Sequence, residues 1–228
     1  MGKTVLSKTR RGINSAPNGS RSLGVLVLNL IIVILVIVGT IVMMLSKASA
    51  TGLMGSGIEN LRYYTVLSNE FAGIVAACQL IALYRGKGYL RILKLTATTA
   101  VSLTFLVVAG FFGPLYGWIQ LYRGSNLFFH LIVPILCVIE LLTAGFKEPL
   151  TIKQCLTASL STVVYGFAYL INILINGIGE WPDSNDWYGF LNWGMGVGLI
   201  IFAGIVLTAF GVACLLRFIK NITRKPYP

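Results

Sequence analysis

The chain has 228 residues, 56% hydrophobic and 11% charged, against about 45 to 50% apolar in ordinary soluble domains. Its net charge of +11 would suit nucleic acid in a soluble protein, but Lys and Arg here flank apolar runs, so the charge reports topology and no nucleic-acid partner is expected. Four cysteines without CxxC spacing and a single histidine argue against a disulfide framework, a zinc site and bis-histidine haem ligation within the chain, so no metal or cofactor is expected.

Several apolar runs exceed the ~18 residues that cross a hydrocarbon core. Residues 1–22 are polar and basic and read as a disordered cytoplasmic tail. The first span, 23–45, is almost purely Leu, Ile and Val, with Asn29 its one strongly polar side chain, as suits a peripheral helix facing lipid. It is too long for a signal-peptide core and reads as retained. The second span, 61–84, begins LRYYTVLSN and then Glu70. Thr65, Ser68 and Asn69 lie at i, i+3 and i+4 and share one helical face, continued by Ala72, Gly73 and Ala76, small residues that imply a close neighbour. Arg85, Lys87, Arg91 and Lys94 form a basic turn.

The third span, 95–112, is closed by Gly113 and Pro114, with Tyr116, Trp118 and Tyr122 as interfacial anchors. The fourth, 127–144, carries His130, Pro134 and Glu140. On the fifth, 154–177, Thr162, Tyr165, Tyr169, Asn172 and Asn176 form a stripe at helical spacing. The loop GEWPDSNDWYG, expected to cap the outer mouth of a pocket, leads to the sixth, 190–216, and residues 218–228 form a second basic tail. The expected fold is therefore all-α, one six-helix transmembrane domain over 23–217.

Assigning Lys and Arg to alternate sides puts fifteen of the eighteen with the two termini and the turns after spans two and four. By the positive-inside rule both termini are cytoplasmic. Spans two and four then enter from the outer face, and Thr65 and His130 lie about equally far below it, ~6 Å along each helix. Asn172 and Asn176 reach a similar level from the other direction. Glu70 lies one to two turns deeper, and Glu140 is expected near the membrane middle.

These residues admit more than one use. His130 serves either as a helix-to-helix hydrogen-bonding group or as a base, and Pro134 at i+4 removes the helical partner of its carbonyl and disrupts the helix there. Thr65 alone reads as structural, but at the depth of an imidazole it becomes a candidate nucleophile. Asn69, Asn172 or Asn176 would supply amide donors to an oxyanion. Glu70 and Glu140 serve as packing partners, proton-relay groups or orienting groups for His130. The stripe with Tyr165 and Tyr169 reads as a helix seam or a pocket wall.

The segments RYYTVLSN, HLIVP with an acid six residues after its proline, and YGFAYLINILING followed by WYGFLN resemble the Pr6Pr-type bacterial membrane proteins, relatives of the androgen-induced and androgen-dependent-TFPI-regulating-protein family. The resemblance covers most of the chain from about residue 60. It implies an intramembrane threonine hydrolase of fatty acid esters of hydroxy fatty acids, with Thr65 and His130 catalytic, a lipophilic ester as substrate, and a multi-pass place in the bacterial cell membrane. Ser68, Asn69, Glu70, Glu140, Tyr165, Tyr169, Asn172 and Asn176 are the expected supporting residues. The alternative function is a non-catalytic proton-coupled transporter or lipid-binding membrane protein.

Overall fold

A computed structural model of the chain describes residues 19–47, 57–145, 148–180 and 184–223, with side chains from residue 23 onward. Six helices are long and apolar enough to cross a membrane: α1 Gly19–Met44, α2 Tyr64–Tyr84, α3 Arg91–Tyr116, α4 Ser125–Thr143, α5 Ile152–Asn176 and α6 Met195–Thr223. The protein is an all-α polytopic bundle, with no strand among the described residues.

Helix limits differ from the hydropathy pattern where specific groups intervene. α1 already includes residues 19–22, and α6 runs on to Thr223; the remainder of both expected tails, 1–18 and 224–228, lies outside the described residues. α3 begins at Arg91, so Lys94 sits inside the helix instead of in a basic turn. Gly113 and Pro114 do not end it. A π-helical segment, Val108–Phe112, shifts the register so that Pro114 falls in the first turn of a short continuation, where its missing N–H is no loss, and Gly117 at φ +82 ends the helix. α6 starts at Met195 because the Asp186 carboxylate takes the Phe190 and Leu191 N–H groups into a turn. α5 starts from a capping box, Thr151 accepting from the Gln154 N–H and Gln154 from the Thr151 N–H.

α3 is the centre of the bundle, packed on α2, α4, α5 and α6. Its sequence suits that place, because Ala97, Thr98, Thr99, Ala100 and Ser102 are all buried and small side chains let helices approach closely in lipid. α1 buries one stripe, Val25, Asn29, Ile32, Val36 and Met43, and leaves Leu26, Leu30, Ile34 and Ile37 exposed. The small face of α2 meets this stripe, with Ile32 and Val36 packed on Ala72 and Ala76. A Cβ on Gly73 would lie 2.8 Å from Val36 Cγ1.

At the end of the bundle that holds the α2–α3 turn, four polar side chains join α1, α3, α4 and that turn. Lys94 Nζ lies 3.0 Å from Glu140 Oε2 and donates to Asn29 Oδ1 at 2.8 Å. Asn29 Nδ2 donates to Glu140 Oε1, and the Tyr89 hydroxyl to Glu140 Oε2, each at 2.8 Å. Lys94 is 2% exposed, Glu140 and Asn29 0%. Burial, then the Glu140 charge, push the Tyr89 phenol well above the ordinary tyrosine range, which keeps it a donor. Such a buried pair is tolerable because every polar atom has a partner.

Candidate active site

At the opposite end of the bundle, a 3-10 turn, Gly57–Arg62, and the extended residue Tyr63 lead into α2. Thr65 is thus the second residue of the helix, within the first turn, where the Val66 and Leu67 N–H groups reach the Tyr63 carbonyl but those of Tyr64 and Thr65 have no carbonyl one turn earlier. One of them, the Tyr64 N–H, donates to the Tyr188 hydroxyl at 2.8 Å. Burial holds that phenol well above the usual tyrosine range, so it meets the N–H as a neutral oxygen. The Thr65 carbonyl accepts from Ser68 Oγ at 3.0 Å and from Asn69 Nδ2 at 2.7 Å. Both bonds fix the backbone and leave the Thr65 hydroxyl to other uses.

On α4, Pro134 has no N–H for the His130 carbonyl, and the chain accommodates this with a π-helical segment, Phe128–Ile132, the kind of insertion that recurs at functional sites. His130 is buried, and its Nδ1 lies 2.8 Å from the carbonyl oxygen of Leu121, a residue of the short helix Trp118–Leu121 between α3 and α4. A carbonyl only accepts, so Nδ1 carries the proton and Nε2 is left with a free lone pair. Asn69 Nδ2 also donates to the Phe129 carbonyl at 2.9 Å. One amide therefore ties the backbone at Thr65 to the backbone beside His130.

Thr65 and His130 line the same cavity of about 460 Å³, together with Tyr63, Phe129, Tyr188 and Asn192. The loop 184–194 covers it, and the stripe on α5 holds that loop. The Tyr169 hydroxyl donates to Asp186 Oδ1. The Tyr165 hydroxyl donates to the Arg62 carbonyl at 2.7 Å and accepts from Trp187 Nε1 at 3.1 Å. Asn172 Nδ2 donates to Asn185 Oδ1 at 3.3 Å, and Asn176 Nδ2 to Asn172 Oδ1 at 2.9 Å. These four residues anchor the cover and do not line the cavity, so Asn172 and Asn176 are not placed as oxyanion donors.

The other expected residues separate. Ser68 faces α3, 3.2 Å from Thr104 Oγ1. Glu70 is hydrogen-bonded to Thr40 on α1 and lies outside the cavity lining. Glu140 is three residues from the end of α4 and not near the membrane middle, and its carboxylate is committed to Lys94, Asn29 and Tyr89; it neither orients His130 nor lines the cavity. Asp186, Trp187 and Tyr188 are cavity residues that the sequence reading did not single out, although it expected their loop to cap the site. The signal was the density of aromatic and acidic residues in WPDSNDWYG, of which 181–183 lie outside the described residues. No family model, no curated protein and no solved structure matches this chain.

Proposed function

We propose that the protein is an intramembrane hydrolase of lipophilic esters, with Thr65 as nucleophile and His130 as general base. The observation that carries this reading is the pairing, in one cavity, of a first-turn threonine with a buried histidine whose Nδ1–H is held by a backbone carbonyl. Nε2 takes the proton of the Thr65 hydroxyl as Oγ1 attacks the ester carbonyl. The negative charge that develops on the carbonyl oxygen sits at the positive end of α2, where the Tyr64, Val66 and Leu67 N–H groups are already bonded and the Thr65 N–H is the first-turn donor that remains. Collapse releases the alcohol with the proton from Nε2. Water, deprotonated by the same nitrogen, then cleaves the acyl-threonine and restores both residues.

The resemblance of RYYTVLSN and HLIVP implies the same two residues, a fatty acid ester of a hydroxy fatty acid as substrate, and the bacterial cell membrane as location. The transporter alternative draws on Glu70, Glu140 and His130 as proton-handling groups; the Glu140 carboxylate is fully engaged, which leaves that reading to Glu70, bonded to Thr40, and His130. An active-site fluorophosphonate probe tests the proposal on the purified full-length protein. Labelling is expected on Thr65 and is expected to vanish in Thr65→Ala and in His130→Ala; labelling that persists in Thr65→Ala rules Thr65 out as nucleophile.

A further inference from the structure

The wall of the cavity is of two kinds. One part is apolar, with Val66, Val108, Phe112 and Phe129. The other is polar and mostly uncharged, with Ser125 at the first residue of α4 and Asn192 in the covering loop. Among the described residues no Lys or Arg lines it. The one carboxylate there, Asp186, takes the Tyr169 hydroxyl and the Phe190 and Leu191 N–H groups, and His130, with its single ring proton on Nδ1, is neutral. An anionic group in this space would meet the Asp186 charge with no counter-ion, which low-dielectric surroundings penalise. An uncharged polar group meets no such opposition.

Ser125 is 2% exposed, and its hydroxyl has no hydrogen-bond partner among the described residues. Two other buried hydroxyls without a partner, those of Thr99 and Ser102, are sealed from any open space. That of Ser125 is not sealed, and the space it opens on is the cavity. Hydroxyls in helices commonly return to the carbonyl one turn earlier, as those of Thr40, Thr143 and Thr208 do here. The carbonyl four residues before Ser125 is that of Leu121, which receives His130 Nδ1–H instead. A buried hydroxyl that opens on a cavity is a group that a ligand satisfies. Its level is fixed as well. Asn69 Nδ2 bonds both the Thr65 and the Phe129 carbonyls, which sets Thr65 level with Phe129. Ser125 precedes Phe129 by four residues and so lies ~6 Å from that level, toward the end of the bundle where α4 begins.

We propose that the cavity takes a neutral polyol ester, in its simplest form a monoacylglycerol, with its ester carbonyl at Thr65, its acyl chain along the apolar wall and a free glycerol hydroxyl accepting from Ser125 Oγ. Five bonds of ~1.5 Å join the carbonyl carbon to the terminal glycerol oxygen, and as an extended zigzag they span ~6 Å, the rise between the levels of Thr65 and Ser125. A fatty acid ester of a mid-chain hydroxy fatty acid has only carbon at that distance and ends in a carboxylate. Attack by Thr65 Oγ1 forms the acyl-threonine as the ester C–O bond breaks, and the glycerol oxygen leaves with the proton from His130 Nε2. Water then breaks the acyl-threonine and gives a fatty acid. The position of the ester rests on the hydrolase reading; the contact between Ser125 and a polyol hydroxyl does not.

The test uses the full-length protein in lipid nanodiscs with 1-oleoylglycerol, with propyl oleate, which lacks both hydroxyls, and with the oleic ester of a hydroxystearic acid. The glycerol ester is expected to be preferred over propyl oleate about fivefold in kcat/KM, through KM, and Ser125→Ala is expected to abolish that preference. A ratio of two substrates on one sample is not moved by a general loss of folded protein. A preference unchanged in Ser125→Ala, or faster cleavage of the hydroxystearic ester than of the glycerol ester, would overturn the proposal. Equilibrium binding of 1-O-hexadecylglycerol, an ether that hydrolysis does not cleave, reads the same contact without chemistry. It is expected to bind about fivefold tighter than hexadecyl propyl ether in the parent protein and equally in Ser125→Ala; equal binding in the parent protein would overturn the polyol site. Fluorophosphonate labelling on the same samples separates the two proposals. Labelled Thr65 without a preference for glycerol refutes the polyol site alone, and a glycerol preference that Ser125→Ala abolishes, without Thr65 labelling, refutes the hydrolase alone.

Discussion

Replacing Lys94 by methionine keeps most of the side-chain volume and removes the cation that faces Glu140. The carboxylate then keeps Asn29 Nδ2 and the Tyr89 hydroxyl as donors but loses Lys94 Nζ at 3.0 Å, in a place with no access to water. Breaking a buried pair from one side costs about 3 to 5 kcal/mol. The double replacement Lys94→Met with Glu140→Leu removes both charges. Asn29 then keeps its bond to the Val25 carbonyl at 2.7 Å, its Oδ1 loses Lys94 as it does in Lys94→Met alone, and the added loss is the Glu140 acceptor of the Tyr89 hydroxyl, about 1 to 3 kcal/mol. The double variant should therefore be more stable than Lys94→Met alone, with a coupling of roughly 2 kcal/mol. Reversible unfolding in mixed detergent micelles, titrated with SDS, measures all four corners of the cycle. A Lys94→Met cost below ~1 kcal/mol, the size expected of an exposed pair, or strict additivity in the cycle, would refute the reasoning.

Three further outcomes follow from contacts described above. Asn69→Ala removes the donors to the Thr65 and Phe129 carbonyls and should cost about 2 kcal/mol in the same unfolding assay, together with a drop in fluorophosphonate labelling as α2 and α4 lose their common tie. Gly73→Ala places a methyl 2.8 Å from Val36 Cγ1 and should cost about 1 to 3 kcal/mol by overpacking α1 on α2, seen as a lower midpoint of unfolding. Asp186→Ala leaves the Tyr169 hydroxyl and the Phe190 and Leu191 N–H groups without their acceptor. Hydrogen exchange at 184–194 should accelerate while α3 remains protected.

The six spans were legible because hydrophobic length alone reports them, and the shared depth of Thr65 and His130 followed from charge counting. The Pro134 signal was also readable, since a proline four residues after a histidine removes one helical bond, although a π turn as its outcome was not. What stayed hidden depends on tertiary position. Lys94 follows Arg85, Lys87 and Arg91 and so reads as the end of a basic turn; only the packing of Asn29 and Glu140 around it shows that it turns inward. Asn172 and Asn176 sit at the right depth for a site, yet they serve a loop whose path the sequence does not reveal. Depth along a helix was recoverable for Thr65 and His130 but not for Glu140, and the direction in which Lys94, Asn172 and Asn176 point was not.

The bond from His130 Nδ1 to Leu121 uses main-chain oxygen, and this has a consequence for genetics. No side-chain substitution at position 121 deletes the acceptor, so a mutational scan would score that position for bulk and hydrophobicity and pass over the group that selects the imidazole tautomer. The orienting partner belongs to the path of the connecting segment between α3 and α4. It would be found by changing that path, through an insertion, a deletion or a backbone ester, and not by changing a letter of the sequence.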